Sequence, residues 1–257
     1  MKKQYLDALP LAFAFVLLWV PMGQHAFLFA HWMKLGTFMA PFLVLVALAT
    51  REDTPNQPDL QTLSVLMLVA YIVHQFEEHW IDLYGTHYAF YPYVNQLLQG
   101  VVGAPETKEI LSPAAIFVIN TALVWLVGSL AILLSRRTVF PFLCMAAIIL
   151  VNAISHIAAA IATMSYNPGL ATSVLVFLPV AWIAFRSAKE ASSTEKIASI
   201  VWAFAAHIVM IGGVLGANAL GLYAEGDYFV MLVIMSLIPA MPLTAGRSQT
   251  KCPGLEV

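Results

Sequence analysis

The sequence predicts an all-α protein, a polytopic bundle of transmembrane helices, and three observations carry that prediction. Of 257 residues, 61% are hydrophobic and 10% charged, with a mean hydropathy of +0.83. Soluble domains carry about 45–50% apolar and about 25% charged residues. Apolar runs recur along the whole chain at close to the roughly 20 residues that a membrane-crossing helix needs. The basic residues, finally, fall almost entirely into every second interval between those runs. This composition excludes a soluble domain and a disordered chain. With 12 Lys+Arg against 14 Asp+Glu and a net charge of −2, it offers no basic stripe for nucleic acid. Two cysteines, Cys144 in an apolar run and Cys252 in the tail, make no disulfide framework.

Eight runs are legible: 7–30, 35–50, 60–82, 113–134, 139–163, 170–185, 197–221 and 228–243. The second, sixth and eighth are short enough to be re-entrant or interfacial, so the count is six to eight. Pro21 and Gly23 interrupt the first run and Pro41 the second, breaks that neighbouring helices can rescue. Lys2 and Lys3 before an apolar run resemble a signal peptide, but no small-residue cleavage site follows, and the run is read as a retained span. If eight spans alternate, one side receives Lys2, Lys3, Arg51, Arg136, Arg137, Arg186, Lys189, Lys196, Arg247 and Lys251, the other only Lys34 and Lys108. The positive-inside rule then places both termini in the cytoplasm.

Residues 1–245 read as a single bundle. The one long loop, 83–112, faces outside and begins with Tyr84, His87, Tyr88, Phe90, Tyr91 and Tyr93, either a lid along the outer surface or an aromatic belt. The Gly212-x-x-x-Gly216 spacing reads as helix packing. From residue 246 the chain is a polar, disordered tail, whose last residues, Leu255-Glu256-Val257, look like the start of a protease-site linker left by cloning.

The third run carries polar residues that a lipid-facing helix would not tolerate, since a charge at the membrane centre costs roughly 2.5–3.5 kcal/mol on the insertion scale. At about 100° per residue, with His74 at zero, Glu78 falls near 40°, Tyr71 near 60°, Asp82 near 80° and Gln75 near 100°. Glu77, near −60°, joins the rim, and His79, near 140°, points further round. The fifth run supplies Asn152 and His156 on one face, level with His74 and Glu78 in the outer half of the membrane. Tyr166-Asn167-Pro168-Gly169 follows as a turn. His25 and Asn120 map to the same depth. His207 reads as an ordinary helix–helix hydrogen bond, a role that also suits Asn120, while Glu77, His79 and Asp82 could equally be solvated at their helix end.

Three of these segments resemble the motifs of the HXXEE family of prokaryotic integral membrane proteins: His74-Gln75-Phe76-Glu77-Glu78, Asn152-Ala153-Ile154-Ser155-His156 and Tyr166-Asn167-Pro168-Gly169. They occur in order and on spans, covering roughly 60–190. The resemblance implies a multi-pass protein of the prokaryotic cytoplasmic membrane. It points to His74, Glu77, Glu78, Asn152, His156, Tyr166, Pro168 and Gly169, and implies no particular reaction.

The residue types suit a metal-dependent enzyme. Imidazoles and carboxylates ligate zinc, iron or manganese. His74 and Glu78, at i and i+4, share a helix face, and His156 would complete the set from across the bundle. Glu77 or the other carboxylate would be the general base on metal-bound water, while Asn152 or Tyr166 would hold a hydrogen bond that supports a ligand or one to the substrate. A site opening between spans implies a lipid, isoprenoid or similar amphiphile as substrate and hydrolysis as the leading reaction. A metal-free isomerase or cyclase working through a desolvated Glu/His pair is the first alternative. A proton- or ion-coupled transporter is the second, although no internal repeat supports it. The oligomeric state stays open.

Overall fold

The computed structural model describes residues 26–50, 59–135 and 138–220, and these are helical with short connections. In chain order α1 spans Ala26–Thr50, α2 Leu60–His79 and α3 Phe90–Val102. Next, α4 runs through Pro113–Val118, a π-helical stretch Ile119–Leu126 and Val127–Leu134. The remaining helices are α5 Val139–Thr163, α6 Leu170–Ser187 with a π turn at Ser173–Phe177, and α7 Ser193–Ala219. Five of them, α1, α2, α5, α6 and α7, are long and apolar enough to cross a membrane, as expected of a membrane protein.

Each start has a chemical cause. Asp59 caps α2, accepting from the Gln61 amide at 2.9 Å and the Thr62 hydroxyl at 2.6 Å. Ser112 caps α4 through the Ala115 amide, with Pro113 in the first turn. Thr138 does the same for α5 through the Phe140 amide. The two central helices are α2 and α5: over their spanning windows they are 56% and 61% buried, against 29%, 22% and 22% for α1, α6 and α7. Phe117, Phe142, Leu143, Met145, Ile148 and Ile149 fill the core between them and α4. The outer helices turn Phe38, Leu45, Leu175, Trp182, Val201 and Ile208 outward, as lipid-facing surfaces do. The polar residues singled out from sequence thus sit on the two helices best shielded from lipid.

The structure corrects the sequence reading in several places. Residues 31–34, expected to connect two spans, are helical within α1. His31-Trp32-Met33-Lys34 contains no Pro or Gly, Trp32 and Met33 are buried, and the break shrinks to a kink at His31 with φ −126° and ψ 15°. The loop 83–112 is not irregular throughout: α3 forms inside it, burying Asn95 and packing Phe90, Tyr91, Val94 and Leu98 against the core. The Asn95 amide side chain ties α3 down, donating to the Leu111 carbonyl at 2.9 Å and accepting from the Ile110 and Leu111 amides at 2.8 Å. Among the described residues, no atom of a neighbouring element lies near the Gly212 or Gly216 Cα positions. Instead, α7 packs on α5 through buried Ala203, Ala206 and Met210, a stripe of suitable period. Lys34 lies over the Trp80 ring at 5.3 Å, at the same end of the bundle as the end of α2. Most of the first run, including His25, and the whole eighth run and tail lie outside the described residues.

Candidate functional site

The final two turns of α2 build the site. His74 is fully buried, and Glu78 and His156 are 4% and 8% exposed, so the cluster is withdrawn from solvent altogether. The Glu78 carboxylate takes His156 Nε2 at 3.1 Å on one oxygen and His74 Nε2 at 3.3 Å on the other. His79 Nε2 approaches the latter oxygen to 3.4 Å from the opposite side, its ring held between Trp32 and Phe90. The ligand atoms of His74, Glu78 and His156 all lie within 4.8 Å of one another, a group that could hold a metal ion. The sequence pairing of α2 and α5 is therefore realised, and His79 joins them from 140° round the helix.

The hydrogen bonds behind the two imidazoles decide which nitrogen carries the proton. The Thr172 hydroxyl donates to the Glu77 carboxylate at 2.5 Å, which spends its one proton, so His74 Nδ1, 2.8 Å from the same oxygen, must be the N–H donor. Asn167 donates through Nδ2 to the His156 carbonyl at 3.0 Å, which turns its Oδ1 toward His156 Nδ1 at 2.6 Å. That nitrogen too must be N–H. In the neutral rings both Nε2 atoms therefore present lone pairs, and both face a carboxylate. His74 Nε2 is buried without a hydrogen-bond partner. Acceptors do not gather in a dry interior unless a cation or proton lies between them. The nitrogen–oxygen separations are 3.1 and 3.3 Å, one imidazole to each carboxylate oxygen.

Glu77, one residue earlier, has the opposite surroundings. It turns to the segment 166–172, where the Tyr166 hydroxyl donates to it at 2.9 Å, the Ala171 amide at 3.1 Å, the Thr172 amide at 2.7 Å, and the Thr172 hydroxyl as above. Its acceptor sites are taken by the first turn of α6, which gains a carboxylate at its N-terminus. A general base needs a free lone pair directed at substrate, so the role expected for Glu77 does not suit this geometry; Tyr166, expected to hold a supporting or a substrate hydrogen bond, bridges Glu77 and the Leu83 amide. Burial pushes the Tyr166 phenol above its ordinary range, with Glu77 adding to the rise, so Tyr166 stays a donor. Gly169 brings the turn onto the cluster at φ +95°. A Cβ there would meet His156 Cε1 at 2.7 Å, His74 Cε1 at 2.8 Å and Glu78 Cγ at 2.9 Å, which only glycine avoids.

The other sequence candidates divide. The Asn152 amide donates to the Tyr71 hydroxyl at 2.9 Å, beside the cluster, and Asn152 Oδ1 is buried without a partner. Gln75 turns the other way, donating to the Asn120 carbonyl and side chain and accepting from Trp125 Nε1 at 3.0 Å, so Asn120 braces the bundle. Asp82 is a turn anchor, accepting from the Tyr84 and Thr86 amides at 2.9 and 2.8 Å. Sequence reasoning missed Thr172, hidden as one more small residue in an apolar run, and the orienting role of Asn167, quoted only as part of a turn.

Two cavities meet at Glu78. One, of about 270 Å³, is lined by Tyr71, Glu78, Asn152 and His156 at its polar wall and by apolar residues of α3, α4 and α7 elsewhere. His207, expected to serve only packing, lines it too, while its Nδ1 lies 2.8 Å from the Ala203 carbonyl. The other, of about 250 Å³, lies on the His79 side among Phe29, Trp32, Met33, Tyr88 and Tyr91.

No curated protein and no solved structure gives a significant match to the chain. The three motifs, however, now have physical roles: the first supplies His74 and both glutamates, the second Asn152 and His156, the third the turn that seats Gly169 on the cluster. Residues 65–184, a little under half of the chain, match the family model described as "Protein of unknown function with HXXEE motif".

Proposed function

We propose that the protein is a membrane-embedded, metal-dependent enzyme of hydrolase type, acting on a lipid or isoprenoid-like amphiphile from a site in the outer half of the membrane. One observation carries the reading: two imidazoles, their protons fixed on the far nitrogens by Thr172 and Asn167, aim lone pairs at a buried carboxylate. His74, Glu78 and His156 would hold a divalent zinc, iron or manganese ion. Such an ion lowers the pKa of bound water to about 7 and polarises an ester or amide carbonyl. The chain's own residues do the rest: Thr172 and Asn167 orient the ligands, the core around Phe177 and Tyr71 excludes bulk water, and Asn152 presents an acceptor at the cavity wall. The ten-to-two division of basic residues supports cytoplasmic termini.

The test is metal content by mass spectrometry of the detergent-purified protein and of His74→Ala with matched thermal stability. About one equivalent of a transition metal in the wild type, lost in the variant, is the expected result. A wild-type protein that stays empty after reconstitution with zinc, ferrous iron and manganese overturns the reading. A second reading then takes its place, because 3.1 Å between His156 Nε2 and Glu78 is also a hydrogen-bond length. A proton held there would suit an acid–base isomerase or cyclase.

A further inference from the structure

We propose that the larger cavity beside Glu78 binds the single chain of an uncharged amphiphile whose head group carries a hydroxyl or other hydrogen-bond donor. The inference deepens the enzyme reading above and rests on it for the reaction, though not for the binding.

Three features of the cavity carry it. First, its lining contains two buried atoms without partners: Asn152 Oδ1 on the polar wall, which can only accept, and the Tyr93 hydroxyl from α3, which can donate. Leaving such groups unpaired is costly, and a head group that both donates and accepts satisfies the two together. Burial pushes the Tyr93 phenol up, so that side chain remains an O–H. Second, among the described residues no Lys or Arg lines the cavity, Glu78 contributes a carboxylate and the His156 ring is turned to it, so without a metal ion at the cluster nothing there is built to neutralise a phosphate, for which guanidinium or ammonium groups are the usual partners. Third, at about 270 Å³ the space equals about nine water volumes of ~30 Å³. A methylene takes up nearly the same space as a water, so the cavity holds about that many carbons of one chain, with the rest of a longer molecule extending through its open mouth. Away from Glu78 its walls are mostly apolar, supplied by Leu98, Val124, Met210, Ile211 and Leu215, with Asn120 and His207 among them.

The test uses the full chain in nanodiscs, chelator-treated so that no metal contributes to head-group affinity. Radiolabelled 1-monodecanoylglycerol is competed by itself, by decanoate, by decanoyl-lysophosphatidylcholine and by the analogue with both hydroxyls methylated. The expected result is that the glycerol ester competes about tenfold better than the other three, the effect of one or two satisfied hydrogen bonds. Asn152→Leu should bring it down to the level of the methylated analogue, and Ala159→Phe, which adds bulk at the cavity wall, should weaken every competitor at least about tenfold. Equal competition by decanoate or the lysophospholipid overturns the uncharged head, and equal competition by the methylated analogue overturns the hydrogen-bond donor. Unchanged binding in Ala159→Phe overturns the cavity as the site. The wild-type competition decides the head-group question even where a variant fails to fold. Metal content measured on untreated protein is independent of these results: selective binding by a protein that takes up no metal sinks only the hydrolase reading, and a metal-loaded protein without selectivity sinks only this one.

Discussion

Glu77 and Glu78 are chemically identical neighbours on one helix, and the structure gives them opposite company. Glu77 is surrounded by donors: two backbone amides, a threonine hydroxyl and a tyrosine hydroxyl. Glu78 is surrounded by imidazole nitrogens, two of them with their protons turned away. A buried carboxylate that meets only donors is complete, and its work is to hold the 166–172 turn in place. One that meets acceptors is incomplete, and its stability depends on what comes between. The two faces of α2 thus separate a carboxylate met by donors from one met by imidazole nitrogens, about 100° apart.

The contrast can be broken from either side. The largest effect is expected from Glu77→Ala, which strands the Ala171 and Thr172 amides and the Tyr166 hydroxyl. At about 1–3 kcal/mol per unsatisfied buried group, the loss should reach 3 kcal/mol or more, read as a large drop in the detergent melting temperature whether or not metal is present. Glu78→Gln should behave otherwise: metal affinity falls by more than about 100-fold, while the metal-free protein melts at or above the wild-type temperature, because an amide N–H now meets the imidazole lone pairs. A metal-free Glu78→Gln that melts well below wild type would show that the cluster needs its charge for folding, and the distinction between the two glutamates would collapse. The smallest effect is expected from Thr172→Val, which frees His74 to take either tautomer. Metal affinity should drop about 10–100-fold with little change in melting temperature, and Thr172→Ser should restore it.

Much of this was legible in the sequence. Helical periodicity put His74, Glu78 and Tyr71 on one face, and the cost of burying charge in a membrane predicted that Asn152 and His156 would face them, as they do. The helical angles also separated Glu77 from Glu78, but an angle gives only a direction; what lay in each direction depended on where α6 begins, which no periodicity encodes. Thr172 was invisible for the same reason. The helix α3 was hidden differently. Phe90, Tyr91, Val94 and Leu98 have helical spacing, yet the dense aromatics around them also suit a membrane boundary, and composition alone does not choose. The Gly212/Gly216 pair meets no neighbour among the described residues, and the buried stripe of α7 is the alanine one instead.

The π-helical stretch Ile119–Leu126 has a consequence of its own. Its widened turn accompanies the exposure of the Asn120 carbonyl to Gln75, and with Trp125 it fixes α2 against rolling about its axis. Such a stretch behaves as an α-helix carrying a surplus residue. Removing the surplus residue would relax the stretch to a regular helix and return the Asn120 carbonyl to the helical ladder, so that Gln75 would lose this anchor. The aim of Glu78 is thus set in part by the residue count of a neighbouring helix, and insertions and deletions within this stretch of α4 should be far less tolerated than substitutions.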